Sequence, residues 1–235
     1  MRKDTRLAVL LLLTMVAFRI LSSAANAQSK TPALEEILDR MEHAQQEKRG
    51  PHRPYSVTRE YGLSRDVHGQ PISEITAEIS SIPPGKKKYE IKRASGNRIG
   101  KKIVRKILDW ETKSVKDDSA INRRNYNFHF LRDDNRGGHP SYVLTVVPKR
   151  KQEDLFIGEV WIDANTFRVR RIEGSLARKP SWWVKQHHIV LQFSEVKGIW
   201  IHTSMKVTAI IRIFGKYVLT AQEVDLTLLS SVAPS

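Results

Sequence analysis

Asp154–Ala177, DLFIGEVWIDANTFRVRRIEGSLA, reads as a strand, a turn and a second strand. Phe156, Ile157, Val160, Trp161 and Ile162 carry the first, Asp163-Ala164-Asn165-Thr166 the turn, and Phe167–Ala177 the second. Small polar residues suit the turn because Asp and Asn side chains hydrogen-bond nearby backbone and tolerate left-handed conformations. The hairpin sits among similar strands, and together they describe a curved sheet rather than an enzyme pocket.

Period-2 alternation continues on both sides. Upstream, Tyr55, Val57, Tyr61 and Leu63 alternate with Ser56, Thr58 and Glu60, and Ile75, Ala77 and Ile79 with Thr76 and Glu78. Lys88–Arg93 follows a Pro83-Pro84-Gly85 turn, and Tyr126–Leu131 and Ser141–Pro148 flank the turn Asp133–Gly138. Downstream come Val184–Phe193, Ile199–Ile213 and Tyr217–Leu229. Such patterning marks half-buried antiparallel strands. In Ile199–Ile213 the residues Ile199, Ile201, Met205, Val207, Ala209, Ile211 and Ile213 share one face, with His202, Ser204, Lys206, Thr208 and Arg212 on the other. The apolar phase of the last strand slips between Leu219 and Val224, which predicts a bulge.

One helix precedes the strands and a second interrupts them. Thr31 is expected to cap the first, with Pro32 at its first position, Glu35 and Glu36 in its first turn, and a stripe of Leu34, Ile37, Leu38 and Met41. The second spans Gly100–Glu111, with Ile103, Val104, Ile107 and Leu108 on one side and Lys101, Lys102, Arg105 and Lys106 on the other. The expected fold is α+β but mainly β: an incomplete antiparallel barrel of about eleven strands, with two or three helices as plug or lid.

Residues 1–27 read as a signal peptide, with Arg2, Lys3 and Arg6, an apolar run from Leu7 to Phe18, and Ala25-Asn26-Ala27 as the cleavage site. Residues 28–235 then form one exported domain, expected in the periplasm. The absence of cysteine excludes disulfides, thiolate metal sites, cysteine nucleophiles and a lipid-modified cysteine. Removing the leader's four basic residues and one acid from the net charge of +15 leaves +12. That surplus favours anionic partners such as phospholipid head groups, lipopolysaccharide or acidic glycans, and export makes nucleic acid the least fitting.

The order of elements resembles the LolA/LolB-like superfamily of exported lipoprotein carriers. Asp134–Leu144 through Pro148-Lys149 is similar to that family's turn, G-x-x-x-Y-x-L strand and closing P-K. Val160-Trp161-Ile162-Asp163 with Thr166–Glu173 is similar to its W-I-D-x-x-T hairpin, and Phe193–Trp200 with Met205 to its G-x-W-x-P…M hairpin. His202 stands where the family often has Pro, the lid helix is unusually basic, and no cysteine supports a LolB-like anchored form. The resemblance implies an apolar cavity for acyl chains under a helical lid. Ile199, Ile201, Met205, Val207, Ala209 and Ile211 would line it, and Lys101, Lys102, Arg105 and Lys106 would meet anionic head groups or a membrane surface. Trp161 and Trp200 fit either cavity wall or outer surface.

Other chemistry fits poorly. Gly96–Lys102 has three residues between its glycines where a phosphate loop needs four. The eight histidines are scattered, and the adjacent His187 and His188 would point to opposite faces of a strand. No Gly-x-Ser-x-Gly elbow is present. Catalysis, cofactors and metals are therefore not expected. Trp182-Trp183 suits a membrane interface, with core or barrel-rim packing at least as good a fit. The leading expectation is a carrier for a lipid or lipoprotein acyl chain, moving it toward the outer membrane. The alternatives are an RseB-like regulatory interaction module and a cationic protein that binds polyanions or membrane surfaces.

Overall fold

The computed structural model describes residues 31–47, 53–66, 69–82, 86–112, 120–152, 154–179 and 181–229. The expected leader, residues 1–27, and the Pro83-Pro84-Gly85 turn lie outside them. Helix α1 is Leu34–Glu47, followed by β1 Tyr55–Ser64, β2 Ser73–Ile82 and β3 Lys86–Gly96. Helix α2, Arg98–Thr112, leads to β4 Tyr126–Asp134, a 3-10 turn at Arg136–Gly138, and β5 Ser141–Pro148. Then come β6 Phe156–Asp163, β7 Val169–Leu176, β8 Val184–Val196, β9 Ile199–Ile211 and β10 Gly215–Leu228.

All ten strands form one antiparallel sheet in the order β3-β2-β1-β10-β9-β8-β7-β6-β5-β4. Each neighbour is also a chain neighbour, except that β10 returns to pair with β1. The sheet does not close: β3 and β4 are its edges. Among the described residues there are ten strands, not about eleven. The phase slip near the C-terminus stays inside one strand, because Val224 bulges out between the pairs Thr58↔Asp225 and Arg59↔Glu223.

The opening hairpin owes its turn to Asp163. Its Oδ1 accepts the backbone N–H of Asn165 (3.1 Å) and of Thr166 (2.8 Å) and the Thr166 hydroxyl (3.0 Å). Its Oδ2 meets Arg170 at 3.1 Å. The left-handed position is taken by Phe167, φ 53°, whose buried ring lies 4.8 Å beneath the Arg40 guanidinium. Core anchoring outweighs the steric cost of that backbone geometry.

Two helices cover two halves of the sheet. Helix α1 buries Ile37, Leu38 and Met41 against Tyr126, Phe128, Leu144, Val146, Val160 and Ile162. It begins at Leu34, two residues after the expected start at Pro32. Helix α2 covers β1–β3 through Val104 and Leu108, both fully buried. Each contributes about 1.5–3 kcal/mol by leaving water. The expected apolar stripe on α2 is narrower than the sequence suggests: Ile107 is half-buried and Ile103 lies at the solvent boundary. Asn97 caps α2, its Oδ1 accepting the Gly100 N–H at 2.7 Å. A Cβ on Gly100 would fall 2.2 Å from Ser73 Oγ, so glycine lets the first turn seat directly on β2.

Candidate functional site

Beneath α2 the sheet presents an apolar trough of Val57, Leu63, Ile75, Ile79, Leu219 and Leu226, continued by Ile201 and Met205. At the C-terminal end of α2 this trough holds a buried polar cluster. Arg59 (4 % exposed) points inward from β1 and ion-pairs with Glu111 of α2. The Tyr61 hydroxyl donates to Glu111 Oε2 at 2.6 Å, and Arg59 donates to the carbonyl oxygen of His202. His202 Nδ1 lies 3.6 Å from Glu111 Oε1. Among the described residues, Arg59 Nε and His202 Nε2 are buried with no hydrogen-bond partner.

Burial dominates the electrostatics here. It pushes the Tyr61 hydroxyl up to about 12, against the pull of Arg59. Burial, reinforced by the Arg59 charge, pushes the His202 imidazole down to about 3, so it is neutral at pH 7. The Arg59 guanidinium is also lowered by burial, although charges on Tyr61, Tyr55 and Glu223 oppose the shift. The cluster joins β1, β9 and the last turn of α2. Its one carboxylate, Glu111, is already shared by Arg59 and Tyr61, so its evident role is to hold the helix down.

The expected cavity residues divide. Ile201 and Met205 are each 4 % exposed and belong to the core under α2, and the half-buried Ile199 and Val207 pack against it. Ala209 and Ile211 are half-buried nearer the far end of β9. The expected unbroken apolar face of Ile199–Ile213 is corrected in two places. Thr203 is a bulge residue between the pairs Gln192↔Ser204 and Phe193↔His202, and it swings His202 inward from the polar face. Ile213 sits in a tight turn at φ 73°, 85 % exposed.

Of the expected head-group residues, Lys102, Arg105 and Lys106 are exposed on α2 and Lys101 is half-buried. Trp161 is buried with Arg132 and Arg171 over its ring, at 5.8 and 5.3 Å, and donates to Asp134 Oδ2 at 3.0 Å. Trp200 donates to the Val169 carbonyl at 3.1 Å. His187 Nε2 accepts the Leu176 N–H at 2.9 Å, while His188 Nε2 lies 3.1 Å from Glu173. Among the described residues, no group of three or more His, Asp or Glu side chains could hold a metal ion. An open depression of about 370 Å³ lies elsewhere, between α1 and the β6–β7 turn, lined by Asp39, Arg40, His43, Ala44, Glu47, Thr166 and Phe167.

The polar cluster is what the sequence reading missed, and a signal for it existed. Arg59 occupies an inward odd position between Val57 and Tyr61. Glu111 follows Val104 and Leu108 on the buried stripe of α2. A charge in phase with a core stripe calls for a buried partner of opposite sign.

Residues 118–221 match a family of unknown function, DUF5686. None of the curated proteins matches the chain. Among solved structures it is similar to an outer membrane lipoprotein-sorting protein domain from Vibrio parahaemolyticus, at 16 % identity and TM-score 0.44, covering 85 % of this chain and 94 % of that one. A LolA superfamily protein from Nitrosomonas europaea is 12 % identical at TM-score 0.38, with 85 % and 95 % covered. The MucA/MucB complex structure from Pseudomonas aeruginosa matches at 10 % identity and TM-score 0.27, with 83 % and 99 % covered.

Proposed function

We propose that this protein is an exported carrier, acting in the periplasm after loss of residues 1–27, that shelters a lipid or lipoprotein acyl chain in the trough beneath α2. The observation that carries the reading is the unclosed sheet whose apolar face is covered there by a single helix rather than by further strands. Lifting α2 would break the Arg59–Glu111 pair and uncover Val57, Leu63, Ile75, Leu219, Ile201 and Met205 as an apolar strip interrupted by Arg59. An acyl chain laid along that strip gains about 0.8 kcal/mol per methylene buried, so a short strip suffices to solubilise it. Lys102, Arg105 and Lys106 are exposed on α2, and in this reading they would meet the anionic head group of the cargo. No step of such a cycle needs catalysis.

Native mass spectrometry with lipid extraction, on protein purified from the periplasm of its host, tests this reading. A reproducible bound phospholipid or acylated peptide is expected. A clean apo mass, together with no uptake from lipid micelles, would overturn it.

A further inference from the structure

Two loops that are far apart in the chain meet at one end of the sheet. The first stretch of β8 pairs with the end of β9, Val184 opposite Ile211, so the β7–β8 loop lies against the β9–β10 turn. Trp182 and Trp183 in that loop stack with ring centroids 3.9 Å apart, yet stay 68 % and 39 % exposed. In the facing turn, Ile213 is 85 % and Phe214 59 % exposed. Four large apolar side chains therefore project from adjoining loops, a costly arrangement if water were their only environment.

Part of the backbone that carries them is hydrogen-bonded within the two loops. Arg212 donates its N–H to the Trp183 carbonyl at 2.9 Å and its Nε–H to the Trp182 carbonyl at 3.0 Å. Val184 N–H goes to the Ser181 carbonyl at 3.0 Å. The loops can enter a less polar medium without stripping water from these groups.

Charge selects the medium. Arg178, Lys179, Lys185, Arg212 and Lys216 are all exposed around these side chains. Between Glu173 and Glu223 the chain contains one acid, Glu195, and it lies toward the opposite end of β8, paired with Trp200. Strand register brings the start of α2 to the same end of the sheet, since Gly96 pairs with Ser73, Ser73 with Leu63, and Leu63 with Leu219, four residues past Gly215 of the β9–β10 turn. That adds Ile99, 71 % exposed, and the basic residues Arg98 and Lys102. Indole rings, aliphatic side chains and a ring of Lys and Arg are what an anionic bilayer surface accommodates, rings at head-group depth and cations against phosphate.

We infer that this rim, centred on Trp182, Trp183, Ile213 and Phe214, docks the protein onto an anionic phospholipid membrane. The inference does not rest on an acyl chain in the trough, and a protein with no cargo would still bind vesicles. The test is co-sedimentation with vesicles of phosphatidylcholine alone or with about one third phosphatidylglycerol. Wild type is expected to sediment with the anionic vesicles only. Both Trp182→Ser/Trp183→Ser and Ile213→Ser/Phe214→Ser should lower that binding about tenfold or more, whereas Trp182→Phe/Trp183→Phe should retain most of it. Circular dichroism of each variant checks the fold. Lipids brominated near the glycerol should quench wild-type tryptophan emission, and quench the double Phe variant less. Absence of vesicle binding would overturn the inference. So would binding that salt abolishes but the serine variants leave unchanged, which would assign the rim's charge to soluble polyanions or an acidic protein.

Discussion

The hydroxyl of Tyr61, on β1, donates to the Glu111 carboxylate in the last turn of α2 at 2.6 Å. Arg59, two residues earlier on the same inward face, neutralises that carboxylate. The C-terminal end of α2 is thus fixed to the sheet by a buried charge pair, while its middle rests on Val104 and Leu108.

Removing Glu111 leaves a buried guanidinium without its counter-charge. Glu111→Ala should therefore cost about 3–5 kcal/mol in urea unfolding, whereas the double variant Arg59→Met/Glu111→Leu should recover most of it. A Glu111→Ala protein within about 1 kcal/mol of wild type would show that the pair does not hold the helix.

Acid should act through His202. Its folded-state value is about 3 against an unfolded value near 6.5, so in that window the unfolded chain binds a proton that the folded chain refuses. Stability is lost as pH falls from about 6.5 toward 3, up to about 1.4 kcal/mol per pH unit from this group. Comparing urea midpoints at pH 7 and pH 4.5, wild type should lose about 2–3 kcal/mol more than His202→Gln. Equal losses would mean that the imidazole is solvated or charged when folded.

The β6–β7 turn depends on Asp163. Burial opposes its ionisation, but hydrogen bonds from Thr166, Arg170 and Asn165 hold the carboxyl below its ordinary value. Its contribution is present at neutral pH and is lost only as pH falls below the usual aspartate range. Asp163→Ala should lower stability by about 2–3 kcal/mol, since four partners lose a charged acceptor. In a thermal melt that corresponds to a fall of about 5–10 °C, and a shift under about 2 °C would refute the role.

The carrier reading predicts that α2 must leave the sheet for cargo to enter. The chain has no cysteine, so a Tyr89→Cys/Asp109→Cys pair, at positions whose side chains touch at 2.7 Å, can be bridged cleanly. Bridging with a short bis-maleimide should abolish lipid uptake, and the unbridged double variant should retain it. Separately, a folded Met205→Trp variant should take up less lipid, because the indole fills space in the trough. Uptake by the bridged protein would exclude α2 as the lid.

Much of the sheet was readable as a line of residues. Alternation in β1, β2 and β9 located those strands, and the slip from Leu219 to Val224 announced the bulge that the register places at Val224. A local pattern suffices there, because pleat and side-chain direction are properties of consecutive residues. The Thr203 bulge was not readable. Nothing in Ile201–Met205 marks it, since it arises from how β8 and β9 align around Phe193 and His202.

The order of side chains along this chain thus specified a run of antiparallel strands, read as about eleven where ten form among the described residues, two amphipathic helices and a basic, cysteine-free composition, since each follows from periodicity or composition alone. Which charges would meet inside was left to the fold. Arg59, Glu111 and His202 lie 52 and 91 positions apart along the chain, and only the return of β10 beside β1 brings β9 and α2 together around them. The same holds for Trp182 and Phe214, whose loops adjoin because β8 pairs with β9. Such meetings depend on strand register summed across a sheet, and no window of neighbouring residues contains that sum.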